Sequence, residues 1–159
     1  MFIIDADALI HAFRYDFPPA GSQTAFWDWL DNVVSQHVGV VVPQSVIEEI
    51  SKGNDGLHNL VSTLKHVTKE PTAACLQHIT AVMKAYGKLT DIDLETIARK
   101  ADPYIVAHAI QLNATVVTNE IPAPNRLAAN RKIPDICSAL HVPCIRYPRF
   151  LWDMRGLYR

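Results

Sequence analysis

The chain has 159 residues, a formal net charge of −1, 49% apolar residues and three cysteines. That length suits one domain, residues 1–159, with a sizeable core, and the near-neutral balance excludes a polybasic nucleic-acid binder in the bulk sense, though not a local basic patch. No apolar run approaches the roughly 18 residues of a membrane span, and no charged segment leads into an apolar one at the start, so neither membrane insertion nor a secretory leader is expected. Cys75, Cys137 and Cys144 lack C-x-x-C spacing. They are expected as free, buried thiols in a reducing cytoplasm, not as disulfides or a zinc site.

The first element, FIID from Phe2 to Asp5, is a short apolar run ending in a carboxylate. It reads as a strand buried on both faces, as in a parallel sheet. Asp7 is then expected to cap a short helix through Ala8, Leu9, Ile10 and Phe13. After a loop with Pro18, Pro19 and Gly21, Ser22 caps a helix carrying Phe26, Trp27, Leu30, Val33 and Val34. Trp27 and Trp29, two residues apart, do not share a helix face. One is expected in the core and the other at an interface.

VGVVV, residues 38–42, is a second buried strand, and SVIEEISKG after Pro43 reads as a helix ending at Gly53. The middle is helical: 57–64, 72–86 stopped by Gly87, and 91–98. These helices form an insertion without an intervening strand. Asp102-Pro103 has the form of a cap followed by a first helical residue, opening a helix through Leu112. ATVVT, residues 114–118, is a third buried strand. A polar loop spans 119–132, a helix runs from Pro134 to Leu140, a last strand covers 143–145, and a terminal helix covers 148–154. Short β-branched strands alternating with helices predict an α/β fold with a parallel sheet.

Ligands in such sheets sit at the carboxyl ends of the strands. Asp5 ends the first strand, Glu48 and Glu49 follow the second, Asp102 opens the helix before the third, and Glu120 lies just beyond it. None is persuasive alone, since strand-end and first-turn acids also serve as caps. Their joint placement suits hard divalent cations, which take oxygen ligands. Such a cluster holds a phosphodiester and generates hydroxide for in-line attack.

These residues resemble a family. FIIDADALI is similar to the opening of a PIN domain, with Asp5 as the first acid and Asp7 at a position usually small and polar. VVPQSVIEEISKG resembles the segment with the second acid and selects Glu49 over Glu48. ADPYIVAHAIQLNATVVTNE resembles the strongest PIN signature and matches Asp102, Thr118 and Glu120. RKIPDICSALHV resembles the segment before the last strand in a PIN-like branch where an Asp in the IPD turn recurs, here Asp135.

The resemblance implies a three-layer α/β/α fold with a central parallel sheet. It also implies a Mg²⁺- or Mn²⁺-dependent endoribonuclease, commonly the toxin of a type II toxin–antitoxin pair, with an RNA substrate, an antitoxin partner and homodimerisation. On this reading Asp5, Asp102 and Glu120 bind metal directly. Glu49 binds a second cation or orients water. Asp7, Thr118 and Asp135 support the site. Arg14, Arg126, Arg131 and Lys132 are expected to neutralise RNA phosphates. The last acid is Glu120 where Asp is commoner, and the loop IPAPNRLAANRK is longer than usual. The competing expectation is therefore a non-catalytic PIN-like module that binds RNA or protein.

The seven histidines show no paired spacing for zinc. No Walker loop, G-x-G-x-x-G or G-x-S-x-G is present, so nucleotide hydrolysis, dinucleotide binding and serine hydrolysis lack support.

Overall fold

Phe2–Ile4 forms β1, and Ile3 and Ile4 are fully buried. Burying such side chains stabilises the fold by roughly 1.5–3 kcal/mol each. In this computed structural model, which describes residues 1–18, 25–35, 39–53, 56–62, 68–69 and 71–155, β1 is the central strand of a five-stranded sheet. The sheet comprises β2 (Val40–Pro43), β3 (Thr68–Lys69), β4 (Thr115–Thr118) and β5 (Cys144–Arg146) besides β1, in the order β3-β2-β1-β4-β5. Every pairing is parallel, with Phe2 aligned to Val40 on one side and to Thr115 on the other. The predicted α/β fold with a parallel sheet is what the chain adopts.

The helices are α1 (Ala6–His11), α2 (Ala25–Ser35), α3 (Gln44–Ile50), α4 (Leu57–Ser62), α5 (Ala73–Ala85), α6 (Asp91–Ala98), α7 (Asp102–Leu112), α8 (Ile133–Ala139) and α9 (Tyr147–Met154). A π-helical turn, Ala12–Asp16, extends α1, and a 3₁₀ turn covers Ala128–Asn130. One group of helices joins α5, α7 and α8, with α7 against β1, β2 and β4. A second contact set joins α2 and α9 to the sheet. Phe150 meets Trp29 at a centroid distance of 6.2 Å and Phe2, edge to face, at 5.3 Å. Among the described residues no helix is long and apolar enough to cross a membrane.

Several expectations need correction. Asp5, not Asp7, caps α1: its carboxylate accepts the Ala6 N–H at 2.7 Å. Asp7 lies inside the first turn. Ala101 is the N-cap of α7, which makes Asp102 its first residue and Pro103 its second. The middle helices are interrupted by β3, whose two residues are too few to show an alternation in sequence. Both Trp27 and Trp29 are buried. The indole N–H of Trp27 donates to the Phe17 carbonyl at 2.7 Å, and Trp29 faces Phe26 and Phe150, so neither stands at a surface. The expected Ser22 cap lies outside the described residues.

Strand order reverses about β1, with β2 on one side and β4 on the other. The carboxyl ends of β1 and β4 therefore form the topological switch point at which open α/β sheets place ligands.

Candidate acidic site

Asp5 is 4% exposed at that switch point. One carboxylate oxygen caps α1, and the other accepts the Thr118 hydroxyl at 2.8 Å. Thr118 ends β4, which is paired in register with β1, so parallel pairing alone brings the two side chains together. The Thr118 oxygen also lies 3.2 Å from an Asp7 oxygen and accepts the Glu120 N–H at 3.1 Å. A hydroxyl has one proton. It serves Asp5 or Asp7, not both at once. Asp7 is held as well by the Asn119 N–H at 2.8 Å.

Burial pushes the Asp5 carboxyl well above the usual carboxylate range. The charge of Asp7, a hydrogen bond with it, and the charge of Asp102 push the same way, while the Thr118 hydroxyl opposes them. Asp102, on the first turn of α7, is raised to about 6. Burial is the main cause; Lys100 opposes it, and the charges of Glu120 and Glu49 add to it. The four predicted acids thus form one electrostatic group: Asp5 senses Asp102, and Asp102 senses Glu49 and Glu120.

Glu49 turns inward from α3, and its carboxylate accepts the N–H of Ala101, the α7 cap, at 3.3 Å. Glu48, the other acid the sequence offers there, is exposed. Glu120 is held differently. One oxygen pairs with the Lys132 ammonium, and the other accepts the Ile133 N–H at the start of α8 at 2.9 Å.

The remaining predicted residues separate into two sets. Asp135 is buried, and its carboxylate accepts the Ala123 N–H at 2.8 Å, tying α8 to the loop after β4. The Arg131 guanidinium donates to the Ala85 carbonyl at the end of α5, and Lys132 is engaged by Glu120. Arg14, on the π-helical turn, and Arg126, in the loop, are exposed.

Three neighbours were not among the predicted site residues. Asn119 donates its backbone N–H to Asp7, places its amide 3.2 Å from His11 Nδ1, and accepts from the Arg146 guanidinium at 3.3 Å. Arg146 ends β5, the strand beside β4, so its position at the carboxyl edge was available from the strand assignment. Tyr86 is buried beneath the acids. Its hydroxyl has no hydrogen-bond partner among the described residues, and burial, reinforced by Asp102 and Glu120, pushes its ionisation upward. Nothing in its helical spacing distinguishes it from a core aromatic.

Among the described residues, no three His, Cys, Asp or Glu side chains are grouped tightly enough to enclose a metal ion as they stand. The donor chemistry nonetheless fits a hard cation. The donors are carboxylate oxygens; Asp5 is buried, Asp102 is half-buried, and burial holds both carboxyls above the ordinary range.

A family profile described as "Domain of unknown function (DUF4411)" matches residues 2–155. The chain belongs to this family. No curated protein matches the DUF4411 chain. Among solved structures it is similar to a chain of VapBC2 from Rickettsia felis, crystallised bound to a DNA fragment from their promoter. The two are 16% identical, the match covers 91% of this chain and 97% of that one, and the TM-score is 0.52. A chain of FitAcB from Neisseria gonorrhoeae is 20% identical over 92% of this chain and 98% of that one, with a TM-score of 0.47. The first of these shows a shared fold for the DUF4411 chain.

Proposed function

We propose that this DUF4411 chain is a Mg²⁺- or Mn²⁺-dependent endoribonuclease, the toxin of a type II toxin–antitoxin pair, working in the cytoplasm with an antitoxin partner and as a homodimer. The observation that carries the nuclease reading is the placement of Asp5 and Asp102. A buried carboxyl, Asp5, and a half-buried one, Asp102, are both held above their ordinary range at the switch point of a parallel sheet, and the charge of Asp102 reaches Asp5. Clusters of perturbed groups in such a place mark functional sites. The fold shared with VapBC2 and the PIN-like segments of the sequence support the toxin assignment.

Asp5 and Asp102 would hold the cation, with Glu49 and Glu120 at its margin. A bound divalent ion supplies charge stabilisation to a phosphoryl oxygen and acidifies a bound water. Thr118 orients the Asp5 carboxylate by donating to it, and Asn119 fixes Asp7 beside it. Glu49 anchors the start of α7 through Ala101, which sets the position of Asp102. Arg146, at the same edge, offers a cation to the RNA backbone. The test is cleavage of a structured RNA with Mn²⁺ by wild type, Asp5→Asn and Asp102→Asn. Activity lost in both variants and in EDTA supports the proposal; equal activity in all three proteins contradicts it.

A second reading, a non-catalytic PIN-like module that binds RNA or protein, draws on the same region. Lys132 already neutralises Glu120, and Asp135 is spent on the Ala123 loop. Mn²⁺ titration separates the two readings: a ligand that binds only the folded state raises its thermal stability, and the nuclease reading expects that rise.

A further inference from the structure

A cavity of about 230 Å³ opens between α3 and the junction of α6 and α7. We propose that it is a nucleotide subsite, taking one base and its attached phosphate from the RNA strand whose neighbouring phosphodiester lies at the acids. This rests on the nuclease reading for the strand, but not for the binding of a nucleotide.

The cavity and the acid cluster share a wall. Ala101 lines the cavity, and its N–H is the group that Glu49 accepts. Glu48 and Glu49 are consecutive on α3; the first lines the cavity and the second turns to the acids. Lys100 and Asp102 flank Ala101 in the same way: the one lines the cavity, and the other is the raised carboxyl. A strand crossing this wall carries one nucleotide from the acids into the cavity.

The lining chemistry selects a nucleotide over a bare anion. Ser45 Oγ is buried without a hydrogen-bond partner among the described residues. A buried hydroxyl without a partner destabilises the fold until something bonds to it. The Gln44 amide makes only a long 3.4 Å contact with Glu48, which leaves it donors and an acceptor to offer a base edge. Tyr104 supplies an aromatic wall of the kind on which RNA bases stack. Among the lining charges Lys52 and Arg99 outnumber Glu48, while the Lys100 ammonium donates to the Ala129 carbonyl at 2.7 Å; that balance suits a phosphate. The volume lies below the roughly 300 Å³ at which pockets for drug-sized ligands begin, so one base fits and a stacked pair does not.

The test is titration of the metal-free protein with AMP, CMP, GMP, UMP and inorganic phosphate, followed by calorimetry. The expected result is that at least one nucleotide binds roughly tenfold or more tightly than phosphate. Ala98→Phe, which fills the mouth of the cavity, is expected to weaken that binding by a similar factor, and a short RNA is expected to displace the nucleotide. Gln44→Ala is the second variant, should Ala98→Phe fail to fold. The proposal is overturned if no nucleotide outbinds phosphate, if both variants bind as wild type does, or if RNA leaves the bound nucleotide in place. Nucleotide binding at the cavity without any Mn²⁺-dependent cleavage defeats the nuclease reading alone. Cleavage with the same sites and rates in the folded cavity variants defeats the subsite alone.

Discussion

Thr118 and Asp5, 113 positions apart in the chain, meet through a 2.8 Å hydrogen bond at the carboxyl ends of two adjacent parallel strands. The bond gives a buried carboxylate a donor that the α1 cap alone does not supply. Thr118→Val keeps the β-branched shape and removes the hydroxyl. It is expected to destabilise the protein by about 1–3 kcal/mol, the cost of leaving a buried polar group unsatisfied, while Thr118→Ser recovers most of that loss. Urea denaturation at neutral pH measures both.

The raised carboxyls make the metal-free protein less stable as pH rises. Asp102 binds its proton more tightly folded than unfolded, so its contribution to stability is full below its ordinary value of 3.8 and is lost as pH climbs to about 6. That interval corresponds to roughly 3 kcal/mol. Asp5 is raised by the same cause and adds loss in the same direction. Against a background of other titrations, Asp102→Asn is expected to flatten this segment of the curve and to raise the melting temperature of the metal-free protein at pH 8. Thermal melts of both proteins in EDTA from about pH 3.5 to pH 8, the span that covers both Asp102 values, check it.

Lys132 and the proposed cation compete for the same charge. Lys132→Met removes the ammonium from Glu120 while keeping much of the aliphatic stem. The variant is expected to reach half-maximal thermal stabilisation at a lower Mn²⁺ concentration than wild type. An unchanged midpoint would place Glu120 outside the cation's reach.

Asp135 holds the loop after β4 through the Ala123 N–H. Asp135→Ala is expected to speed amide hydrogen exchange in residues 121–127 and to leave exchange in β1 and β4 unaltered. Hydrogen exchange read by mass spectrometry resolves the two regions.

The parallel sheet was legible because β1, β2 and β4 are runs of buried β-branched or aliphatic residues bounded by acids and prolines. The same pattern made Asp5, Asp102 and Glu120 visible as strand-end or helix-start acids and offered Glu48 and Glu49 together, of which the PIN resemblance selected Glu49; Asp5, Glu49, Asp102 and Glu120 share one field. What escaped depends on three dimensions. Asp5 and Asp7 both have capping chemistry, and which one caps α1 depends on where the helix starts: Asp5 keeps extended backbone at the end of β1, while Asp7 is already helical and accepts the Asn119 N–H. Arg131 looked like an RNA contact because it lies beside the acidic edge in sequence, but its guanidinium is taken by the end of α5. β3 is too short to leave a period, and Tyr86 differs from a core aromatic only in what lies above its hydroxyl.

The central claim is that Asp5 and Asp102 form a cation site that cuts RNA. Its most direct test is a single-turnover cleavage assay in Mn²⁺ comparing wild type with Asp102→Asn at equal folded concentration. The account predicts cleavage by wild type, abolished by EDTA, and a loss of about a hundredfold or more in the variant, on the order of 3 kcal/mol in the barrier. Cleavage by the variant at the wild-type rate would contradict it.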